Sequence, residues 1–373
     1  MIHLDDIKHT KFRPKGRTFR SHSNDFADDP KVRRLNSSPA EQAASAYNHV
    51  GDDYSRYADG DADLAQSTLS ACRFAHADTI VWKSLQAALD ELRQSGITSA
   101  RVLDAGCGPG FWLKRVADYS RRIGLHVSIV GFDISSAQLE IARHEAEKYL
   151  DCLSNGAKPA FDFREQDLSR PLPWADGYFD LVLCNYTVLN HITPHTLPSA
   201  IAELCRVSTG HLIATLRAVG STPTVCITGM ERVREYRHDV GRSNLTFTLN
   251  DGSQHALPFK IYSAQALEGL FSPHADVVDI RAIDIFVSRF AGDKNWTSSL
   301  LDGLPDRPAI VEKLKDMEES FCRLPGWIDH GTHVLVVAKA KSAKGEAHVE
   351  ALDNCGETSP IASFADFLAN RSK

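Results

Sequence analysis

The sequence predicts an α/β fold: a seven-stranded, mostly parallel sheet with helices on both faces and a β-hairpin inserted after the fifth strand. Three observations predict it. From residue 101 onward, short apolar runs alternate with stretches of helical periodicity. A glycine-rich turn follows the first of those runs. Further on, two stretches of apolar and polar alternation flank the turn dipeptide Asp251-Gly252.

Residues 41–96 read as helical. Tyr47, Tyr54 and Tyr57 form an aromatic stretch, and Ile80, Val81, Leu85, Leu89 and Leu92 have the spacing of a helix buried on one side. Runs at 101–104, 127–133, 160–164, 179–185 and 211–217 read as strands. Ser135 with Gln138 makes a capping-box pattern ahead of Leu139, Ala142 and Ala146. Thr193-Pro194 reads as an N-cap and first-turn pair for a helix with Leu197, Ile201 and Leu204 on one face. Two late runs, 277–286 and 333–338, complete seven strands, and between them Ile310, Leu314, Met317, Phe321 and Leu324 repeat as in a helix. The hairpin is expected from Leu245, Phe247 and Leu249 alternating before Asp251-Gly252, and Leu257, Phe259 and Ile261 after it. The expected organisation is a disordered basic arm (1–40), one domain (41–340) with an insertion at 220–262, and a flexible tail (341–373). The arm is polar: residues 1–34 hold nine Lys/Arg against five Asp/Glu.

Composition excludes several function classes. With 43% hydrophobic and 24% charged residues, a chain of 373 residues is ordinary for a globular protein with a sizeable core. No apolar run reaches the roughly 18 residues of a membrane span and the start lacks a secretory apolar stretch, so a cytoplasmic protein without membrane contact is expected. The eight cysteines show neither C-x-x-C pairs nor neighbouring histidine clusters, so no metal site is expected. A net charge of −6 disfavours nucleic acid as a partner, because phosphate contacts need clustered Lys and Arg. Oligomeric state is left open.

The segment with the most chemistry is Val102-Leu103-Asp104-Ala105-Gly106-Cys107-Gly108-Pro109-Gly110, a strand running into G-x-G-x-G. Glycines at a strand-to-helix turn let the backbone approach a ligand without an intervening Cβ. A dinucleotide fingerprint would put its third glycine at Phe111, and a P-loop would need a Gly-Lys-Ser/Thr that is missing here. Asp104 would repel a phosphate but suits a cationic amino group. Asp133 closes the next strand, where an acid can accept from both ribose hydroxyls; its structural alternative is a helix N-cap. Asp167, after the third strand, is either an acceptor for an adenine amino group or a plain loop aspartate.

Together these residues resemble the class I S-adenosylmethionine-dependent methyltransferases of the small-molecule type, over roughly residues 47–339. The resemblance implies a Rossmann-like sheet and S-adenosylmethionine as cofactor. It implies that Gly106, Gly108 and Gly110 line that cofactor, that Asp133 with Ile134 holds the ribose, and that Asp167 with Leu168 holds the adenine. Phe179 to Ile192 looks like the family's fourth strand and following loop, with Asn185 at the methionine moiety and His191 toward the methyl acceptor. Tyr47, Tyr54 and Tyr57 fall where an N-terminal helix closes over the cofactor, and Tyr54 is the candidate carried forward.

The activity so implied is methyl transfer to a small-molecule acceptor. Cys184-Asn185 is not part of an Asn/Asp-Pro-Pro-Tyr or Pro-Cys signature of nucleic-acid-base methyltransferases. Nucleic-acid methyltransferase, nicotinamide-dependent oxidoreductase and non-catalytic binding module stand as alternatives. His191 reads either as a general base for the departing acceptor proton or as a structural histidine bonded to a loop carbonyl.

Overall fold

The computed structural model describes residues 38–49, 75–153, 158–221, 233–287 and 307–341. The expected arm and tail, apart from Ser38, Pro39, Ala40 and Lys341, lie outside them, as do Tyr54 and Tyr57.

The chain opens with α1 (Pro39–His49) and α2 (Ala75–Gln94), then alternates β1 (Ser99–Ala105), α3 (Phe111–Arg122), β2 (His126–Asp133), α4 (Ser136–Cys152), β3 (Ala160–Glu165), β4 (Phe179–Cys184), α5 (Leu197–Arg206) and β5 (Ser208–Arg217). A small sheet follows, made of β6 (Val233–Asp239), β7 (Asn244–Leu249) and β8 (Gln254–Pro258). The chain closes with α6 (Ala264–Phe271), β9 (Ala275–Ile283), α7 (Arg307–Phe321) and β10 (His333–Ala340).

The seven strands are ordered β3-β2-β1-β4-β5-β10-β9. β1 is parallel to β2 and β4, and β10 runs antiparallel to both β5 and β9. Strands covered on both faces must be apolar at successive positions. In β10, Val334 and Val336 join the core under α5 and α6, while Leu335 and Val337 join the core under α2 and α3. Leu197, Ile201 and Leu204 fill the first of these cores and Val81, Leu85, Leu89, Leu113 and Val116 the second. The strand order reverses between β1 and β4. In an open α/β sheet that reversal leaves a crevice beyond the carboxyl ends of the strands.

Four expectations need adjusting. The fourth strand ends at Cys184 rather than 185, since Tyr186 and Thr187 have φ of 54° and 67° and cannot continue a strand. The ninth strand spans 275–283 and stops before Asp284, whose φ is 66°. The helix expected from Thr193-Pro194 starts at Leu197: Thr193 instead heads a turn in which its carbonyl accepts from Thr196 and Leu197 N–H, and Pro198 takes the first-turn place. The expected hairpin is two strands of a three-stranded sheet, because β6 pairs antiparallel with β7. That edge strand, Val-Arg-Glu-Tyr-Arg-His-Asp, is charged and barely apolar.

Ser135 caps α4 by accepting from Gln138 N–H at 3.2 Å. Ser38 and Glu41 form a reciprocal box at the start of α1, Ser38 Oγ accepting from Glu41 N–H and Glu41 Oε2 from Ser38 N–H. Among the described residues no helix is long and apolar enough to cross a membrane, and no three His, Cys, Asp or Glu are grouped to hold a metal.

Candidate cofactor and acceptor site

A cavity of about 380 Å³ opens over the carboxyl ends of β1, β2 and β4, at the reversal of strand order. Its floor is the glycine turn. Gly106 has φ 75°, and a Cβ there would collide with the side chain of Val188. Gly108, at φ 53°, has open space where a Cβ would stand, so its backbone is bare to the cavity. Gly110 does not line the cavity. It sits at φ 87° as the N-cap of α3 and shapes the turn from behind.

Asp133 ends β2 inside the cavity. Its Oδ2 accepts from Gly108 N–H and its Oδ1 from Ser135 N–H, both at 2.9 Å, so this carboxylate fixes the glycine turn as well as facing the space above it. The Ile134 N–H adds to these, and a carboxylate's four acceptor sites still leave room for a further donor. Burial raises its pKa against the opposing pull of those N–H groups. Ile134 lines the cavity next to it, while N-capping of α4 belongs to Ser135.

Asp104 is 1% exposed, and its Oδ2 has no hydrogen-bond partner among the described residues. Burial, and secondarily the charge of Asp133, lifts its pKa to about 8. Asn185 is 5% exposed, and neither amide atom has a partner there either; the Gln138 amide is in the same condition. All three line the cavity. Buried polar atoms without partners are costly, and in native sites they mark where a ligand or water completes the bonding. Asp167 and Leu168 line the far side, where Asp167 Oδ1 already accepts from Ser169 N–H at 2.8 Å and Oδ2 lies 3.5 Å from Arg170 Nε.

His191 also lines the cavity, but both ring nitrogens are engaged. The ring lies 2.8 Å from the Pro258 carbonyl through Nδ1, which must therefore carry the proton, and Nε2 accepts from the Tyr47 hydroxyl at 2.7 Å. Burial pushes its pKa down to about 4, so the ring is neutral at physiological pH. Of Tyr47, Tyr54 and Tyr57, Tyr47, on α1, lies within the described residues and lines the cavity.

Several lining residues escaped the sequence reading: Asp78, Trp112, Tyr186, Thr187, Val188 and His333. Trp112 and Val188 were legible in principle as neighbours of the glycine turn and of Asn185. Asp78 and His333 come from elements far away in sequence, and no local pattern marks them.

The residues present fit S-adenosylmethionine. Backbone bared by glycine, an acid at the end of β2, and unpartnered acceptors at Asp104 and Asn185 match a ribose next to a cationic amino-acid arm. Residues 102–211 match the family model described as a methyltransferase domain. That segment, which runs from β1 into β5 and holds the glycine turn, Asp133 and Asn185, is what this chain shares with methyltransferase domains. It is 33% identical over 99 residues to a malonyl-(acyl-carrier protein) O-methyltransferase of Legionella pneumophila, a match spanning 26% of this chain and 30% of that protein's length. Among solved structures, an S-adenosylmethionine-dependent methyltransferase from Clostridium acetobutylicum is 13% identical, with 80% of this chain and all of that one covered, at a TM-score of 0.45. The (4+2) cyclase SpnF is 21% identical, with 82% and 97% covered, at a TM-score of 0.44.

Proposed function

We propose that this chain binds S-adenosylmethionine and transfers its methyl group to a small-molecule acceptor. The observation that carries this reading is the set of buried, unpartnered polar atoms of Asp104 and Asn185 beside the glycine turn, a lining that a closed core would not tolerate. The cofactor supplies a methyl group already activated on a sulfonium, so the protein's work is alignment and exclusion of water. Asp133 holds the ribose through its remaining acceptor capacity, with Ile134 against the sugar. Asp167 and Leu168 take the adenine edge, and Asp104 with Asn185 takes the amino-acid arm.

A small acceptor is supported by the enclosure of the site. α1 covers the cavity with Pro39, Ala40, Ala43 and Tyr47, and Ile192, Thr193 and Thr196 wall the side next to His191. The acidic net charge points the same way. By its name, the curated relative is an O-methyltransferase of malonyl-(acyl-carrier protein), which favours an oxygen acceptor over carbon. In this arrangement His191, neutral and bonded at both nitrogens, acts by orienting the Tyr47 hydroxyl, and not as the proton acceptor.

Calorimetric titration with S-adenosylmethionine, S-adenosylhomocysteine and NADH tests the reading. Binding of the first two and not of NADH is expected. Binding of NADH alone would replace the methyltransferase by an oxidoreductase.

A further inference from the structure

Asp78 stands in the first turn of α2, well before the glycine turn in sequence, and is 5% exposed. A buried carboxylate needs a reason. Its Oδ1 accepts from the Tyr186 hydroxyl, and the Tyr186 ring stacks on Trp112 at 6.2 Å between centroids and 17° between planes. Trp112 stacks in turn on Trp82. Tyr186 is placed by unusual backbone: it and Thr187 are consecutive residues in the left-handed region, which side-chain-bearing residues rarely adopt. The Thr215 hydroxyl oxygen accepts from Tyr186 N–H at 2.7 Å and holds that turn. The strained turn thus swings the phenol onto a carboxylate that lines the same cavity as Asn185, the residue just before it. Asp104 pairs in register with Leu183, two residues before Asn185.

Three acceptors from three elements therefore face one cavity: Asp78, Asp104 and the Asn185 carbonyl oxygen. An ammonium group has three donors and no acceptor, and its charge offsets the burial of carboxylates. We infer that Asp78, oriented by Tyr186, is a further cofactor-binding residue that takes the α-ammonium of the S-adenosylmethionine amino-acid arm. This rests on the function proposed above.

A proton linkage follows. Without a cation the burial of Asp78 lifts its pKa to about 7, with Tyr186 and Arg115 on α3 pulling it down and Asp284 beyond β9 pushing it up. Asp104 is lifted to about 8. An arriving ammonium favours both ionised forms, so binding at pH 7 releases protons and affinity climbs as pH rises toward 7, until the α-amino group of the ligand itself begins to lose its proton.

The test is titration of wild type and Asp78→Asn at pH 8 with S-adenosylmethionine and with 5′-methylthioadenosine, which lacks the amino-acid arm. Asparagine keeps an oxygen for the Tyr186 hydroxyl, so the strut between α2 and the turn survives. S-adenosylmethionine is expected to bind the variant about 10- to 150-fold more weakly, with 5′-methylthioadenosine unchanged. Proton release, read at pH 7 in two buffers of different ionisation heat, is expected to shrink in the variant. Equal weakening of both ligands would make Asp78 a structural strut, and unchanged S-adenosylmethionine affinity would remove it from the site; either overturns the inference. Wild type binding neither ligand would sink the proposed function and this inference with it.

Discussion

Asp133 has two duties under this proposal, since the carboxylate proposed to hold the ribose also pins the glycine turn through Gly108 N–H. Asp133→Ala is therefore expected to weaken S-adenosylmethionine by about 1.5–3 kcal/mol, roughly 10- to 150-fold, measured calorimetrically. A wild-type affinity in this variant would contradict the ribose assignment. His191 makes a prediction about pH. Its pKa is about 4 in the fold and 6.5 as the ordinary value, so the unfolded chain binds the extra proton first as pH falls. The stability it contributes is complete above pH 6.5, is lost between 6.5 and 4, and is flat below. Asp78 and Glu318, both raised to about 7, act in the opposite sense, losing stability as pH rises toward 7. The clean readout is the melting difference between wild type and His191→Gln: it should grow from pH 4 to 6.5 by roughly 3 kcal/mol. A difference that does not change with pH would show the imidazole to be less buried than described. At this scale the sequence was legible where a residue sits beside the glycine turn or at a strand end, as Asp104, Asp133 and Asn185 do. It was silent on the partner of His191, because the Pro258 carbonyl and the Tyr47 hydroxyl come from elements 67 and 144 residues away.

Three elements meet around the turn after β4, and Asn190 is the clip between them. Fully buried, it accepts from Arg217 N–H at 2.9 Å with Oδ1 and donates Nδ2 to the Lys260 and Arg217 carbonyls at 2.5 and 3.2 Å. Asn190→Ala would strand these backbone groups, each at about 1–3 kcal/mol, so a loss of several kcal/mol in denaturant unfolding is expected. A loss below about 1 kcal/mol would mean that the inserted sheet is not tied to the turn. The small sheet contributes the Pro258 carbonyl to His191, and its apolar face, with Leu245, Phe247 and Phe259, packs against Ala46 and Tyr47 of α1. Asn48 of α1 in turn accepts from the Ser135 hydroxyl at 2.6 Å at the start of α4. Replacing residues 233–258 by a Gly-Ser link is accordingly expected to abolish turnover while sparing most cofactor affinity, since the groups assigned to ribose and adenine lie on β2 and the loop after β3. Full activity in that deletion would remove the sheet from the acceptor site. The alternation around Asp251-Gly252 made β7 and β8 readable, whereas charged β6 was not. A charged edge strand has no apolar period to read.

Across the whole molecule, the alternation of strands and helices was enough to anticipate seven strands and their layering, because a doubly wound sheet imposes its apolar pattern on every strand. What it did not reveal is how distant elements converge: α2 bringing Asp78, and β10 bringing His333, to the cavity formed at the end of β4. That convergence predicts cooperative stabilisation. At about 100 times its dissociation constant, S-adenosylmethionine should stabilise the fold by about 2.7 kcal/mol, read as a rise in melting temperature, and NADH should give none. The most direct test of the central claim is transfer itself. Methyl-tritiated S-adenosylmethionine is incubated with the protein and a metabolite extract, and the products are separated by size. The account predicts label in small molecules, reduced with Asp133→Ala at subsaturating cofactor; label confined to the macromolecular fraction, or a cofactor that binds without any transfer, would contradict it.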